Sequence, residues 1–163
     1  MIYIGIDPSL TGTGIVVLDE QGNVLDKDLI TTKPSSAIED RIEKIFFLSR
    51  NIIVDAYERN AKGGSELCIE GLSYGSKSSS MLELAGLHYF LRHQLQYNIQ
   101  IVLEPIIVPP QTLKKWVCGK GTAKKEQMLL QTYKRWGMEF QDNNICDAYC
   151  LARYAMENDV IRG

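Results

Sequence analysis

The chain has little that would tie it to a membrane, a zinc ion or an oxidising compartment. Two histidines in 163 residues leave scant material for a histidine-built metal site. His88 and His93 are five apart and do not share a helix face, which argues against a histidine-based zinc site; both are expected at the surface or at an interface. The four cysteines are Cys68, Cys118, Cys146 and Cys150, with no Cys-x-x-Cys pair among them. Cys146 and Cys150 stand one helical turn apart, a spacing that can grip a metal. The plainer reading is small buried residues in a reducing compartment. No window approaches the ~18 apolar residues of a membrane span. The start lacks a basic stretch followed by an apolar one, as a secretory signal would have. A cytoplasmic protein is therefore expected. Repeats and long linkers are also missing, so residues 1–163 are expected to form a single domain. A domain of this length buries roughly two-thirds of its unfolded surface and needs neither disulfide nor zinc to hold together.

Positive charge is in deficit overall, with 18 Lys and Arg against 20 Asp and Glu and a net charge of −2. Its distribution is uneven. Between Gln111 and Trp136 lie Lys114, Lys115, Lys120, Lys124, Lys125, Lys134 and Arg135, opposed by Glu126 alone, which makes this segment +6 and the remainder −8. A basic segment in an otherwise acidic chain is a candidate footprint for a polyanion. A solvated helix face has the same composition.

Periodicity outlines the elements. β-type runs cover about Met1–Asp7, Gly14–Asp19 and Asn23–Thr31, joined as a three-stranded antiparallel meander. Ile38, Ile42, Ile45, Phe46, Ser49, Ile52, Ile53 and Tyr57 recur at helical spacing within Ala37–Asn60. Strands are expected at Glu66–Leu72 and Ile99–Glu104, on either side of a helix over Met81–Gln96. Further helices follow at Gln111–Val117, Ala123–Trp136 and Asn144–Met156. This order points to one mixed central sheet flanked by helices, an α/β protein.

Three acids stand out on separate elements. Asp7 ends the first strand, ahead of a turn rich in Gly, Pro, Ser and Thr. Glu70 sits inside the apolar run Leu67-Cys-Ile-Glu-Gly-Leu, an expensive place for a carboxylate unless it is paired or metal-bound. Asp147 opens the last helix. If the first and fourth strands are neighbours, Asp7 and Glu70 leave the same end of the sheet and Asp147 can reach them from above. Such a set suits hard divalent ions that take oxygen ligands, and two ions suit phosphodiester hydrolysis. Each acid also has a plainer role: Asp7 as a turn former before Pro8, Glu70 as an edge charge, and Asp147 as a complement to a helix dipole.

Four motifs, in order and spread over nearly the whole chain, resemble the RuvC family of Holliday junction resolvases, and most resemble its bacteriophage branch of the lactococcal-phage type. They are Gly5-Ile-Asp-Pro-Ser-Leu-Thr-Gly-Thr-Gly, Cys68-Ile-Glu-Gly-Leu, the Lys114–Gln127 segment with its Gly-x-Gly turn, and Asn144-Ile-Cys-Asp-Ala-Tyr-Cys-Leu-Ala. The resemblance implies an RNase H-like fold with a five-stranded mixed sheet, three antiparallel strands followed by two parallel ones. It implies a structure-selective, metal-dependent endonuclease acting on four-way junctions and other branched DNA, with Asp7, Glu70 and Asp147 as metal-binding catalytic acids. The family's fourth acid falls at Asn144, which offers only an amide oxygen. Asp142 stands two residues earlier, either as the missing ligand or as an N-cap. Two Mg2+ ions are implied per site, with Mn2+ as a substitute. Lys114 and Lys125 fall at the family's basic positions, and Lys115, Lys120 and Lys124 extend that surface. Tyr74 either stacks on an exposed base or packs its loop, and Lys77 lies in the same loop as a phosphate contact. A homodimer is implied, and its contact is placed on the helix carrying Met81, Leu84, Leu87, Leu91 and Leu95. A helicase partner is left open. Two other classes remain in view: a junction-binding protein that does not cut, and a nucleotide-binding domain of the actin and sugar-kinase type.

Overall fold

The structure, a computed structural model, describes residues 1–60, 63–73, 80–99 and 104–162. Its sheet is built from β1 (Ile2–Asp7), β2 (Gly12–Leu18), β3 (Val24–Thr31), β4 (Ser65–Glu70) and β5 (Ile106–Val108). The spatial order is β3-β2-β1-β4-β5. β1, β2 and β3 pair antiparallel, whereas β4 runs parallel to β1 and β5 parallel to β4. The expected sheet, three antiparallel strands and two parallel ones, is the one observed.

Helices cover both faces, which is why β1 and β2 are buried at every position and read as unbroken apolar runs. Ile2, Ile4, Ile6, Ile15 and Val17 pack toward α1 (Ile38–Asn60) and α2 (Ser80–Asn98). Tyr3, Val16, Leu18, Cys68 and Val108 pack on the other face, beneath α3 (Pro110–Cys118), α4 (Lys125–Trp136) and α5 (Asn143–Arg162). Pro110 begins α3, where its missing N–H costs nothing. Gly119 ends α3 and Gly137 ends α4, both left-handed at φ 79° and 69°.

Three expectations need correction. Ile99 closes α2 through its N–H to the Leu95 carbonyl, Glu104 lies outside any strand, and residues 100–103 fall outside the described set. The observed fifth strand is the β-branched triplet Ile106–Val108, bounded by Pro105 and Pro109, with Cys68 opposite Ile106. Leu87, Leu91 and Leu95 are fully buried in the chain's own core and Leu84 packs against it, so these leucines are core residues rather than a contact surface. The apolar side chains that α2 does expose are Leu82, Tyr89 and Tyr97. Finally, His88 is buried while His93 is exposed. Position 88 falls within the stripe of Leu84, Leu91 and Leu95, a periodicity that reveals its burial.

Candidate active site

Strand alternation decides where the acids point. Gly5 faces α5, and Asp7, two residues on, faces the same way. In β4, Cys68 lies in the core beneath α5, and Glu70 follows it on that side. The parallel register sets Ile6 against Ile69. One step further, Asp7 and Glu70 come abreast at the carboxyl ends of their strands.

The third acid is delivered by the close approach of α5. A Cβ on Gly5 would lie 1.9 Å from the Ala148 carbonyl oxygen, and a Cβ on Gly14 would lie 2.1 Å from that of Asn144. Helix and sheet can touch at backbone distance only because both positions are glycine. Asn144 and Ala148 bracket Asp147, and Gly14 is the cross-strand partner of Asp7. Asp147 is thereby held over the ends of β1 and β4.

The three carboxylates act on one another. Burial pushes Asp7 well above the usual carboxylate range, with Glu70 and then Asp147 adding to the shift. Glu70 is raised to about 7, first by burial and then by the charge of Asp147. Burial also raises Asp147 to about 6. A hydrogen bond between Asp7 and Glu70 raises the first and lowers the second. Lys114 lowers Glu70 and Asp147, and Lys125 lowers Asp7 and Asp147, so both ammonium groups stand beside the acids.

The other expected residues divide. Lys115, Lys120 and Lys124 are exposed around the α3–α4 turn. The Gly119 N–H is committed to the Lys115 carbonyl at 2.8 Å and so is taken by the end of α3. Arg135 is also committed. It stacks 4.2 Å from the Trp116 ring centroid and 4.6 Å from that of Trp136, and it pairs with Glu157 at 2.8 Å. Asp142 caps α5, its Oδ1 accepting the N–H groups of Asn144 (2.8 Å) and Ile145 (3.1 Å), and its charge contributes to the rise of Asp147. Asn144 donates from Nδ2 to the Gly12 carbonyl at 2.8 Å, a bond an aspartate there could not make. Tyr74 and Lys77 fall outside the described residues. His88 is an addition that sequence reasoning missed: its Nε2 lies 3.0 Å from the Glu70 carbonyl oxygen and fixes the end of β4 from the opposite face. Cys146 and Cys150 are buried and share Thr132 Oγ1 at 3.4 and 3.2 Å.

Among the described residues no three His, Cys, Asp or Glu side chains stand as a closed metal-holding group. Asp7 and Glu70 instead hydrogen-bond each other, with Asp147 acting on both by its charge. The donor chemistry nonetheless fits a hard divalent cation: three desolvated carboxylates, oxygen donors only, with excess negative charge that a cation would relieve. Asp7, Glu70 and Asp147 are the residues that could hold it, with the Asn144 Oδ1 and Asp142 at the margin.

This electrostatic strain has a measurable sign. Glu70 is harder to ionise in the folded chain than in the unfolded one. Its contribution to stability is full below about pH 4.5 and is lost as pH rises through about 7. The loss is on the order of 3 kcal/mol at 1.36 kcal/mol per pKa unit. We expect metal-free Glu70→Gln protein to gain thermal stability over the parent as pH rises from 5 to 8. Calorimetry in chelator checks this, and a difference that is flat with pH would refute the strain.

A mixed sheet in this order, carrying acids at the ends of its first and fourth strands and on its last helix, defines an RNase H-like α/β protein. A family model described as "Crossover junction endodeoxyribonuclease RuvC" matches residues 3–153. The chain belongs to the RuvC family, whose members are divalent-metal-dependent endonucleases. The RuvC of Ehrlichia ruminantium (strain Welgevonden) is 27% identical over 167 residues, covering 98% of this chain and 92% of its own. That of Chloroherpeton thalassium is 29% identical over 138 residues, covering 82% and 69%. Thermus thermophilus RuvC superposes with a TM-score of 0.74 at 17% identity, covering 99% and 97% of the two chains. The T. thermophilus RuvC in complex with a Holliday junction substrate gives 0.72 at 18%, covering 99% and 94%. At these identities the two structures establish the fold.

Proposed function

We propose that this protein resolves four-way DNA junctions by cutting phosphodiester bonds, and that residues 1–163 act as one nuclease domain. The observation that carries the reading is the convergence of Asp7, Glu70 and Asp147 at the carboxyl ends of β1 and β4, flanked by Lys114 and Lys125. Membership of the RuvC family supports it.

The acids would hold Mg2+, or Mn2+ in its place, and the bound metal would supply an activated water and neutralise charge on the leaving oxygen. The protein's own residues do the rest. Strand ends hold two carboxylates rigidly and α5 holds the third, so the electronegative site is formed before substrate arrives. Lys114 and Lys125 keep the acids from taking up further protons and offer cations to the phosphate oxygens. Lys115, Lys120 and Lys124 extend a phosphate-binding surface that brings affinity and salt dependence without reading sequence. Tyr74 and Lys77 belong to this reading as contacts near the branch point. Asn144 anchors β2 to α5 through Gly12, and Asp142 caps the same helix. The marginal oxygens of these two residues are what a second ion would use.

A four-way junction has approximate two-fold symmetry, which a homodimer with one site per subunit matches. The exposed Leu82, Tyr89 and Tyr97 of α2 give that dimer an apolar face in place of the buried leucines. The cytoplasm, where DNA and reduced thiols coexist, is the compartment this reading implies.

The test is a labelled four-way junction incubated with Mg2+ or Mn2+. Paired nicks near the branch point that a ligase can reseal are expected. Tight junction binding with no nicking in either metal would make the protein a binding module instead.

A further inference from the structure

We propose a second phosphate site, built around Arg41, that grips the DNA backbone on the face of the sheet opposite the basic helices. It rests on the nuclease reading above and extends it to a residue outside the acidic centre and the α3–α4 lysines.

Arg41 is 8% exposed, on the first turns of α1. Its Nε donates to Thr32 Oγ1 at 2.8 Å and its Nη2 to the Leu10 carbonyl at 2.8 Å. The Thr32 hydroxyl donates to the same carbonyl, so the guanidinium plane is fixed. Among the described residues it has no carboxylate partner, and a buried cation without a counter-charge is costly. Arg41 instead lines a cavity of about 390 Å³ together with Pro8, Ser9, Thr11, Glu83 and Leu84.

The turn supplies further donors. Ser9 Oγ accepts the N–H groups of Thr11 and Gly12, both at 3.3 Å. The Ser9 and Thr11 hydroxyls lie 3.4 Å apart, so even if one donates to the other, one O–H remains for a ligand. A fixed guanidinium beside a hydroxyl is a donor set for phosphate oxygens. Pro8, next to Asp7, and Leu84 also line the narrow cleft at Glu70. Pro8 and Leu84 thus wall both cavities at the rim of the sheet formed by the carboxyl ends of β1 and β4, where a neighbouring phosphate of the cut strand would lie. Duplex DNA would straddle that rim, held by Lys114 and Lys125 on one face and Arg41 on the other. Glu83, exposed on α2, is the one carboxylate among the lining residues and opposes an anion.

The experiment measures junction affinity by fluorescence anisotropy without divalent metal, between about 50 and 200 mM salt. Arg41→Gln is expected to bind severalfold more weakly, with a salt slope shallower by about 1. Glu83→Gln is expected to bind more tightly. Single methylphosphonates near the cut should weaken wild-type binding at one backbone position to which Arg41→Gln is indifferent. A folded Arg41→Gln protein with the wild-type slope and the wild-type methylphosphonate profile would overturn the site. Should Arg41→Gln fail to fold, wild-type affinity in Glu83→Gln would overturn it, and tighter binding would support it. Wild-type protein that does not bind junctions at all would instead bring down the nuclease reading on which the site depends.

Discussion

Glu70→Gln is expected to abolish junction cleavage while leaving junction binding intact. A carboxylate that holds a catalytic cation is tied to several kcal/mol of transition-state stabilisation. At 1.36 kcal/mol per tenfold, a loss of at least about 10³ in turnover follows. Binding should persist, because the lysines around the α3–α4 turn supply its electrostatic part and are untouched. The amide also removes the acid that is pushed up to about 7 by burial and by Asp147. The variant is thus expected to be more stable than the parent in metal-free neutral buffer, since a carboxyl group that folding makes harder to ionise costs the fold at that pH. Single-turnover cleavage and anisotropy on the same junction check both halves. Retained cleavage would remove Glu70 from the site, and lost binding would show that the change had unfolded it.

Gly5→Ala and Gly14→Ala are expected to be the most disruptive glycine-to-alanine changes among the described residues. At Gly5 the new carbon would meet the Ala148 oxygen at 1.9 Å and the Ala152 nitrogen at 2.5 Å, and at Gly14 it would meet the Asn144 oxygen at 2.1 Å. These are backbone atoms, so no rotamer change gives relief and α5 itself must move. A cost of about 3–5 kcal/mol follows, at the upper end for overpacking. For a chain of this length that lowers Tm by about 10 °C. Any protein that still folds should cut poorly, because the displaced helix carries Asp147. Gly86→Ala is the control: no atom lies within 4 Å of its added carbon, and a helical Ala there should be stabilising by about 0.5–1 kcal/mol. Equal melting temperatures for Gly5→Ala and Gly86→Ala would refute the close crossing.

Much of this was legible in the residues. An acid at the end of an apolar run, as at Asp7, and one within such a run, as at Glu70, announce a special use because burial makes them costly. The helical stripe of α1 and the meander of β1–β3 follow from local periodicity. What could not be read was long-range. Nothing in the segments around Asp7 and Glu70 states that Ile6 registers with Ile69. The triplet Ile106–Val108 is too short to show a period and is flanked by prolines, which read as loop. The stripe on α2 was visible, but a core stripe and a subunit contact have the same pattern, and only burial separates them. His88 was hidden by the habit of reading histidine as polar, although its position in that stripe placed it inside. Arg135 was counted in the basic segment, yet it lies over two tryptophans that tertiary packing brings into contact.

The tight crossing of α5 over β1 has a consequence in time as well as in space. One acid is translated near the beginning of the chain and another only after more than a hundred further residues, and neither segment makes a cutting centre without the other. A chain whose α5 has not yet docked would therefore lack the proposed cutting centre. On that reading, folding itself is the switch that arms the protein.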